Sequence, residues 1–230
     1  MNGLISNSAY FGVVLSLGAY FVSVKINKRF RVALLNPLLI STVLIIAVLL
    51  VLKIDYSAYY FSAKYLSYLL TPATVCLAIP LYEKLTLLKN NLRAILLGIT
   101  AGTLAGMICI LLLSLIFGLD HAQYVTLLPK SVTTAIGMPL AEKLGGYSSI
   151  TVCVIIATGL LGNIFAEGFL KLLRIYDPVA KGIAIGTSSH AIGTSRALQI
   201  GDIEGAMSSL AIVVTGLITV IAASAFSMFI

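Results

Sequence analysis

Apolar residues run along this chain in long blocks separated by short polar breaks. Six blocks, at residues 6–24, 37–52, 66–82, 94–117, 147–170 and 206–230, are long enough to predict helices that cross a bilayer. Such a helix takes about 20 consecutive, mostly apolar residues. Two stretches between blocks, 120–146 and 171–205, are neither plainly polar nor plainly spanning. They set the problem that the rest of the sequence has to solve.

The basic residues give the blocks a direction. Lys25, Lys28, Arg29 and Arg31 follow the first block, Lys84, Lys89 and Arg93 the third, and Lys171, Arg174 and Lys181 the fifth. Alternate crossings leave only Lys53, Lys64, Lys130 and Lys143 on the other side, so the larger group is cytoplasmic by the positive-inside rule. The N-terminus is then outside. The fourth block ends outside and the fifth must begin there, so 120–146 enters and leaves on one face. It is predicted to be re-entrant or interfacial, and the same reasoning puts 176–205 on the cytoplasmic side and the C-terminus outside.

These two stretches are related to each other. Thr133-Thr134-Ala135-Ile136-Gly137 matches Ser189-His190-Ala191-Ile192-Gly193 at an offset of 56, and Ala141 and Gly145 then fall on Ala197 and Gly201. The same offset lays the fifth block over the sixth. Each unit therefore consists of one odd segment and one spanning helix, and a unit that crosses once must alternate in direction. This is the signature of an inverted repeat, which in transporters places a binding site where the copies meet. A weaker echo aligns Pro80-Leu81-Tyr82-Glu83-Lys84-Leu85 with Pro139-Leu140-Ala141-Glu142-Lys143-Leu144. The predicted architecture is an all-α polytopic membrane protein of about six transmembrane helices plus two re-entrant or broken-helix segments. Residues 1–230 form one membrane domain, with N-terminal helices in 1–117 and the inverted repeat in 118–230.

Composition agrees. Of 230 residues, 60% are hydrophobic and 10% charged, against roughly 45–50% and 25% in ordinary soluble domains. The net charge of +7 belongs to topology and does not predict a nucleic-acid partner; the partner it predicts is membrane lipid. The first block has no basic residue or small-residue cleavage site before Lys25, so it reads as a retained helix. Cys76, Cys109 and Cys153 lie inside apolar runs without metal-ligand spacing and read as inert packing residues. No metal or cofactor is expected. An enzyme is disfavoured, because no Gly-x-Ser-x-Gly, metal-binding helix or phosphate loop is present.

The candidate chemistry lies in the repeated segments. Ser131, Thr133 and Thr134 precede a short apolar stretch with Gly137, and Thr187, Ser188 and Ser189 precede one with Gly193, Thr194 and Ser195. Hydroxyls in such places are helix N-caps, and a half-helix starting inside a membrane aims unpaired N–H groups and partial positive charge at an anion. The alternative is that the hydroxyls only satisfy broken-helix backbone. His190 and Arg196 have Thr134 and Leu140 as repeat partners, so they break the symmetry. Ionisable groups in membrane segments are costly and therefore functional candidates. Arg196 reads as a bidentate clamp for a substrate carboxylate or as a snorkelling side chain. His190 reads as a donor, a proton carrier or a loop-fixing histidine. Asn163 and Glu167, four apart on one helix face, are coupling candidates, with a salt bridge from Glu167 to Lys171 as the plainer reading. Asp120, His121 and Glu142 read as solvated loop residues, and Tyr56, Tyr59, Tyr60, Tyr65 and Tyr68 as an interfacial aromatic belt in the outer loop and at the head of the third block.

Four motifs together are similar to one known family. Asn36-Pro37-Leu38-Leu39, Leu77-Ala78-Ile79-Pro80-Leu81-Tyr82, Pro129-Lys130-Ser131-Val132-Thr133-Thr134 and Gly186-Thr187-Ser188-Ser189-His190-Ala191-Ile192-Gly193-Thr194 resemble the LrgB/CidB family over nearly the whole chain. The resemblance implies a multi-pass protein of the bacterial cytoplasmic (inner) membrane, with a plastid relative that moves glycolate and glycerate. It implies one of two functions. The first is transport of small monocarboxylates such as pyruvate, glycolate or glycerate through a site between two half-helix termini. The second is a holin- or antiholin-like role modulating murein hydrolases and autolysis. It also implies a small LrgA/CidA-type membrane partner, and a homo-oligomer is a further expectation. Ala135 and Gly137 stand where many relatives have proline and alanine.

Overall fold

A computed structural model describes residues 8, 10–30, 35–69, 72, 75, 76 and 78–230. Every regular element among the described residues is helical: α1 (Phe11–Phe30), α2 (Pro37–Val51), α3 (Tyr56–Ser67), α4 (Ala78–Glu83), α5 (Leu85–Phe117), α6 (His121–Leu127), α7 (Thr134–Lys143), α8 (Ser148–Leu172), α9 (Pro178–Ile200) and α10 (Asp202–Phe226). They fall into two compact units, residues 1–76 and 77–230.

In the first unit α1 packs on α2 and α3. The Asn36-Pro37 motif starts α2: the Asn36 side chain accepts from the Leu38 N–H at 2.8 Å, and Pro37 sits where its missing N–H is harmless. Gly12 lets α1 approach α3, its N–H donating to Ser62 Oγ at 2.6 Å, while Ser16 Oγ and the Tyr59 hydroxyl are 2.8 Å apart. The tyrosines expected in an outer loop are mostly helical, because α3 begins at Tyr56; the Tyr56 and Tyr60 rings stack one turn apart at 5.8 Å. The first predicted span begins at residues outside the described set, and its helix runs on to Phe30, with Lys28 and Arg29 in the last turn, where cations suit the dipole. Of the third predicted span, residues 70, 71, 73, 74 and 77 lie outside the described residues; so do the side chains of Pro80, Leu81 and Leu85, which carry much of the weak upstream echo.

In the second unit the long helices are α5, α8 and α10. Among the described residues these three are long and apolar enough to cross a membrane. At 33 residues, α5 extends about 50 Å, starting earlier than the predicted block at 94. It also belongs with the later helices: α5 packs on α9 and α10, within the compact unit of residues 77–230. The physical reason is that Ile95 and Ile99 on α5 are fully buried against Ala206, Met207 and Ala211 of α10. Further along, Met107 and Ile110 join Tyr124, Leu128 and Leu140 in a second core.

The distribution of side chains in this unit inverts that of a soluble protein. Ile116 and Phe117 on α5, Leu161 and Phe169 on α8, and Leu217 and Ile221 on α10 face outward, while Thr103, Thr151, Asn163, Thr194, Ser208, Thr215 and Thr219 are buried. Outward apolar surface with small hydroxyl residues between helices is the arrangement lipid requires, since nothing there hydrogen-bonds an exposed polar group. The chain is an all-α polytopic membrane protein. Its three cysteines are free and exposed, so the expectation that they pack inside is corrected: they lie on outward faces.

Candidate functional site

Both odd segments are interrupted helices. The first is α6, a turn over 128–133, and α7. Asp120 caps α6 through a capping box with Gln123, and α7 begins at Thr134, with Thr133 in the N-cap position but making no side-chain cap bond. The second is α9, which Asp177 caps by accepting from the Ala180 N–H at 2.8 Å and which breaks at His190, φ 42°, ψ −143°. A non-glycine residue there is strained, by about 1–3 kcal/mol, and persists only where its surroundings hold it.

Those surroundings are well defined. The His190 ring bonds the Ile155 carbonyl on α8 through Nε2 at 2.8 Å. Asn163 Nδ2 donates to the Ile192 carbonyl at 2.8 Å and to Ser195 Oγ at 2.9 Å. Thr194 Oγ1 donates to the His190 carbonyl at 2.9 Å and lies 2.7 Å from Ser208 Oγ on α10. A Cβ at Gly162 would collide with Ser189, so only glycine lets α8 lie against the kink.

The offset of 56 has a structural counterpart. A Cβ added to Gly137 would come within 3.3 Å of the Pro129 carbonyl oxygen, and one added to Gly193 within 3.3 Å of the Ile185 carbonyl oxygen. Pro129 and Ile185 are themselves 56 apart. In each copy a glycine folds the half-helix back onto the segment before it. The two junctions also meet at one residue, since Ile155 packs its side chain against Gly137 and gives its carbonyl to His190.

Beside these junctions lies a cavity of about 760 Å³ in the second unit. One wall is α5, along Gly98, Gly102 and Gly106; another is the first half of α9, with Ile183, Thr187 and Ser188; Leu128, Lys130 and Ser131 close it from the first junction. The Thr187 methyl would be 3.0 Å from a Cβ at Gly102. Thr187 is 6% exposed and its hydroxyl has no hydrogen-bond partner. Lys130 is half-buried, and its ammonium donates to Ser131 Oγ at 3.1 Å.

Of the residues singled out by sequence, Ser131, Thr187 and Ser188 line this cavity. Ser189, His190, Gly193, Thr194 and Ser195 form the kink and its packing, as does Asn163. Thr133, Thr134 and Gly137 start α7. Arg196 is elsewhere: it pairs with Glu167 and donates to Gln199 Oε1 at 2.9 Å, both members of the ion pair being more than a third exposed. Arg196 is not among the residues that line this cavity, and Glu167 pairs with it, where a salt bridge from Glu167 to Lys171 was the plainer expectation. The reason is geometric, since the kink at His190 turns the second half of α9 so that Arg196 comes beside α8. Asp120 and His121 are also not idle. The latter's ring nitrogens lie 2.6 Å from the Ile230 carbonyl oxygen and 3.1 Å from that of Leu144.

Sequence reasoning missed Lys130 and the glycines of α5. The glycines had a readable signal, because spacing of four along an apolar helix puts them on one face that another helix can approach. Charge counting alone assigns Lys130 to an outer loop.

The LrgB-like family matches residues 16–229. The chain belongs to the LrgB-like family. It is 36% identical over 222 residues to a protein of Bacillus cereus (strain B4264) named antiholin-like protein LrgB, with 96% of each chain covered, and equally to one of Bacillus anthracis (strain CDC 684 / NRRL 3495) with the same name. It is 40% identical over 198 residues, 86% of each chain, to the Bacillus subtilis (strain 168) protein YxaC. No solved structure matches it. The LrgB match spans both junctions and the whole cavity, so these features lie within the part of the chain that the family shares.

Proposed function

We propose that this LrgB-like protein acts as an antiholin-like membrane protein that modulates murein hydrolase activity and autolysis. The observation that carries the reading is the 36% identity over 96% of both chains to relatives named antiholin-like LrgB. In this reading it resides in the bacterial cytoplasmic membrane, works beside a small LrgA/CidA-type partner and has no catalytic step. The test is deletion and complementation: cells lacking the protein lyse faster in stationary phase and show more murein hydrolase activity on zymograms, and the restored gene reverses both. Unchanged lysis and zymograms would sink it. Its orientation, N-terminus outside, follows from the charge asymmetry. In protein whose three native cysteines are replaced, Lys143→Cys labels with an impermeant thiol reagent from outside and Lys181→Cys only after permeabilisation. Same-side labelling would refute the arrangement.

A second reading, transport of small monocarboxylates, is favoured by one specific observation. The cavity of about 760 Å³ between α5 and the broken segments is of ligand size, and pure assembly into a lytic or antilytic complex has no use for it. Proteoliposomes of the purified protein test this: saturable uptake of labelled pyruvate, competed by glycolate, glycerate or lactate, supports transport. Linear flux that also passes sucrose would favour a pore. The relatives' names favour the antiholin-like reading over the transport reading, and the two make separable predictions.

A further inference from the structure

His121, the first residue of α6, has a main-chain oxygen at each of its ring nitrogens. Nδ1 lies 2.6 Å from that of Ile230, and Nε2 3.1 Å from that of Leu144, the C-cap of α7. A main-chain oxygen, carbonyl or carboxylate, accepts and does not donate. Each contact is therefore a hydrogen bond only if its ring nitrogen carries a proton, and a neutral imidazole carries one proton for two nitrogens. The site is complete only around the imidazolium. The 2.6 Å contact is as short as a charge-assisted bond. Beneath the ring, Tyr124, Leu144, Phe226 and Ile230 belong to one apolar cluster, so the three elements joined by His121 also pack on each other.

The surrounding groups leave imidazole as the one that responds near neutrality. On α6, Asp120 is engaged as the cap, accepting from the Gln123 N–H at 2.8 Å, and the Tyr124 hydroxyl donates to the Phe226 carbonyl at 3.0 Å. The end of α7 brings Glu142 and Lys143, and Tyr147 precedes α8; the last turns of α5 and α10 and residues 227–230 bring no titratable side chain. Carboxyl, phenol and ammonium groups ordinarily titrate outside the range of about pH 5.5–8, and imidazole within it. The chain's other histidine, His190, lies in the α9 kink.

The geometry points to a pH-operated clasp, in which protonated His121 ties the start of α6 to the end of α7 and to the chain beyond α10, and loss of its proton opens one tie. The sign follows from the proton count. Both bonds form in acid; as the pH rises through the imidazole range, one nitrogen is left facing an oxygen with lone pair against lone pair. The clasp joins the two legs of the first interrupted segment, whose turn over 128–133 supplies Leu128, Lys130 and Ser131 to the cavity wall. Acid holds those legs together and alkali loosens them. In the orientation proposed above this end faces outside, so the clasp reads external pH. The clasp stands without that orientation, which Lys143→Cys labelling decides separately.

Hydrogen–deuterium exchange of the full chain in phosphatidylcholine nanodiscs tests it, corrected for intrinsic exchange at each pH and read in peptides covering 141–147 and 226–230. In wild type, protection in at least one of the two falls about threefold or more between about pH 5.5 and pH 8, the share of one net hydrogen bond, while peptides within α8 hold steady. His121→Leu, with no donor, shows the alkaline level at both pH values. His121→Arg, which keeps donors and charge throughout, loses the pH dependence. If His121→Leu does not remain monodisperse, wild type and His121→Arg carry the test. Protection that is independent of pH in wild type, a pH dependence that persists in either variant, or acid-level protection in His121→Leu overturns the clasp. An equal fall in the α8 peptides is global loosening and overturns it as well.

Discussion

The two helix interruptions share a sequence pattern at an offset of 56 yet are built differently. At the second, a single residue leaves the helical region and the polar groups packed on it are paired, His190 on Ile155, Asn163 on Ile192 and Ser195, Thr194 on Ser208, with Thr187 one turn earlier left unpartnered. At the first, six residues turn between α6 and α7, Thr133 caps nothing with its side chain, and Lys130 bonds only its neighbour. The tight break is a structural joint. The loose one leaves polar groups free to face a cavity. Polarity in a membrane segment thus marks a ligand site only where the fold has not already consumed it.

Substitutions can break this contrast, and the largest effect belongs to the tight joint. Gly162→Ala forces a methyl into Ser189 and is expected at the upper end of the overpacking range, about 3 kcal/mol, seen as loss of monodisperse protein and a markedly lower melting temperature in detergent. Wild-type melting would mean that the α8–α9 contact yields easily. Next, Asn163→Leu removes the donor to Ile192 and Ser195 and should cost about 1–3 kcal/mol. Thr133→Val at the loose joint should stay within about 0.5 kcal/mol. Comparable melting losses for the two would erase the distinction between the junctions.

The glycine pair gives a finer comparison. A methyl at Gly193 meets the Ser189 Cβ at 2.5 Å, whereas at Gly137 it meets Ile155 Cδ1 at 2.5 Å, the far end of a side chain that can swing away. Gly193→Ala should therefore cost about 2 kcal/mol and Gly137→Ala about 1, checked by parallel thermal melts, and the reverse order would mean that Ile155 is the stiffer neighbour. The smallest effect is at the periphery. Glu167→Gln breaks a partly exposed ion pair with Arg196 and should change stability by less than about 1 kcal/mol, with pyruvate uptake in proteoliposomes unchanged. A large uptake defect in well-folded Glu167→Gln would return Glu167 and Arg196 to the working site.

What the sequence determined by itself was whatever depends on local pattern. Apolar blocks placed α2, α8 and α10 to within a few residues, because length and hydropathy are properties of a segment and lipid imposes the same demand on each one. Hydropathy set apart both interrupted stretches and the offset of 56 paired them, with Gly137 close to the Pro129 carbonyl and Gly193 close to that of Ile185. Which hydroxyls and charges remain free was beyond it. Ser188 and Ser195 look alike in the sequence, yet one lines the cavity and the other is bonded to Asn163, 32 positions away. Arg196 has the sequence setting of an anion clamp, but the kink at His190 carries it to Glu167, while Lys130, a loop charge by sequence, lines the cavity beside α5 and α9. Those outcomes are set by contacts distant in sequence, and only the tertiary structure, by deciding which partners meet, could separate polar groups the fold consumes from those it leaves for a ligand.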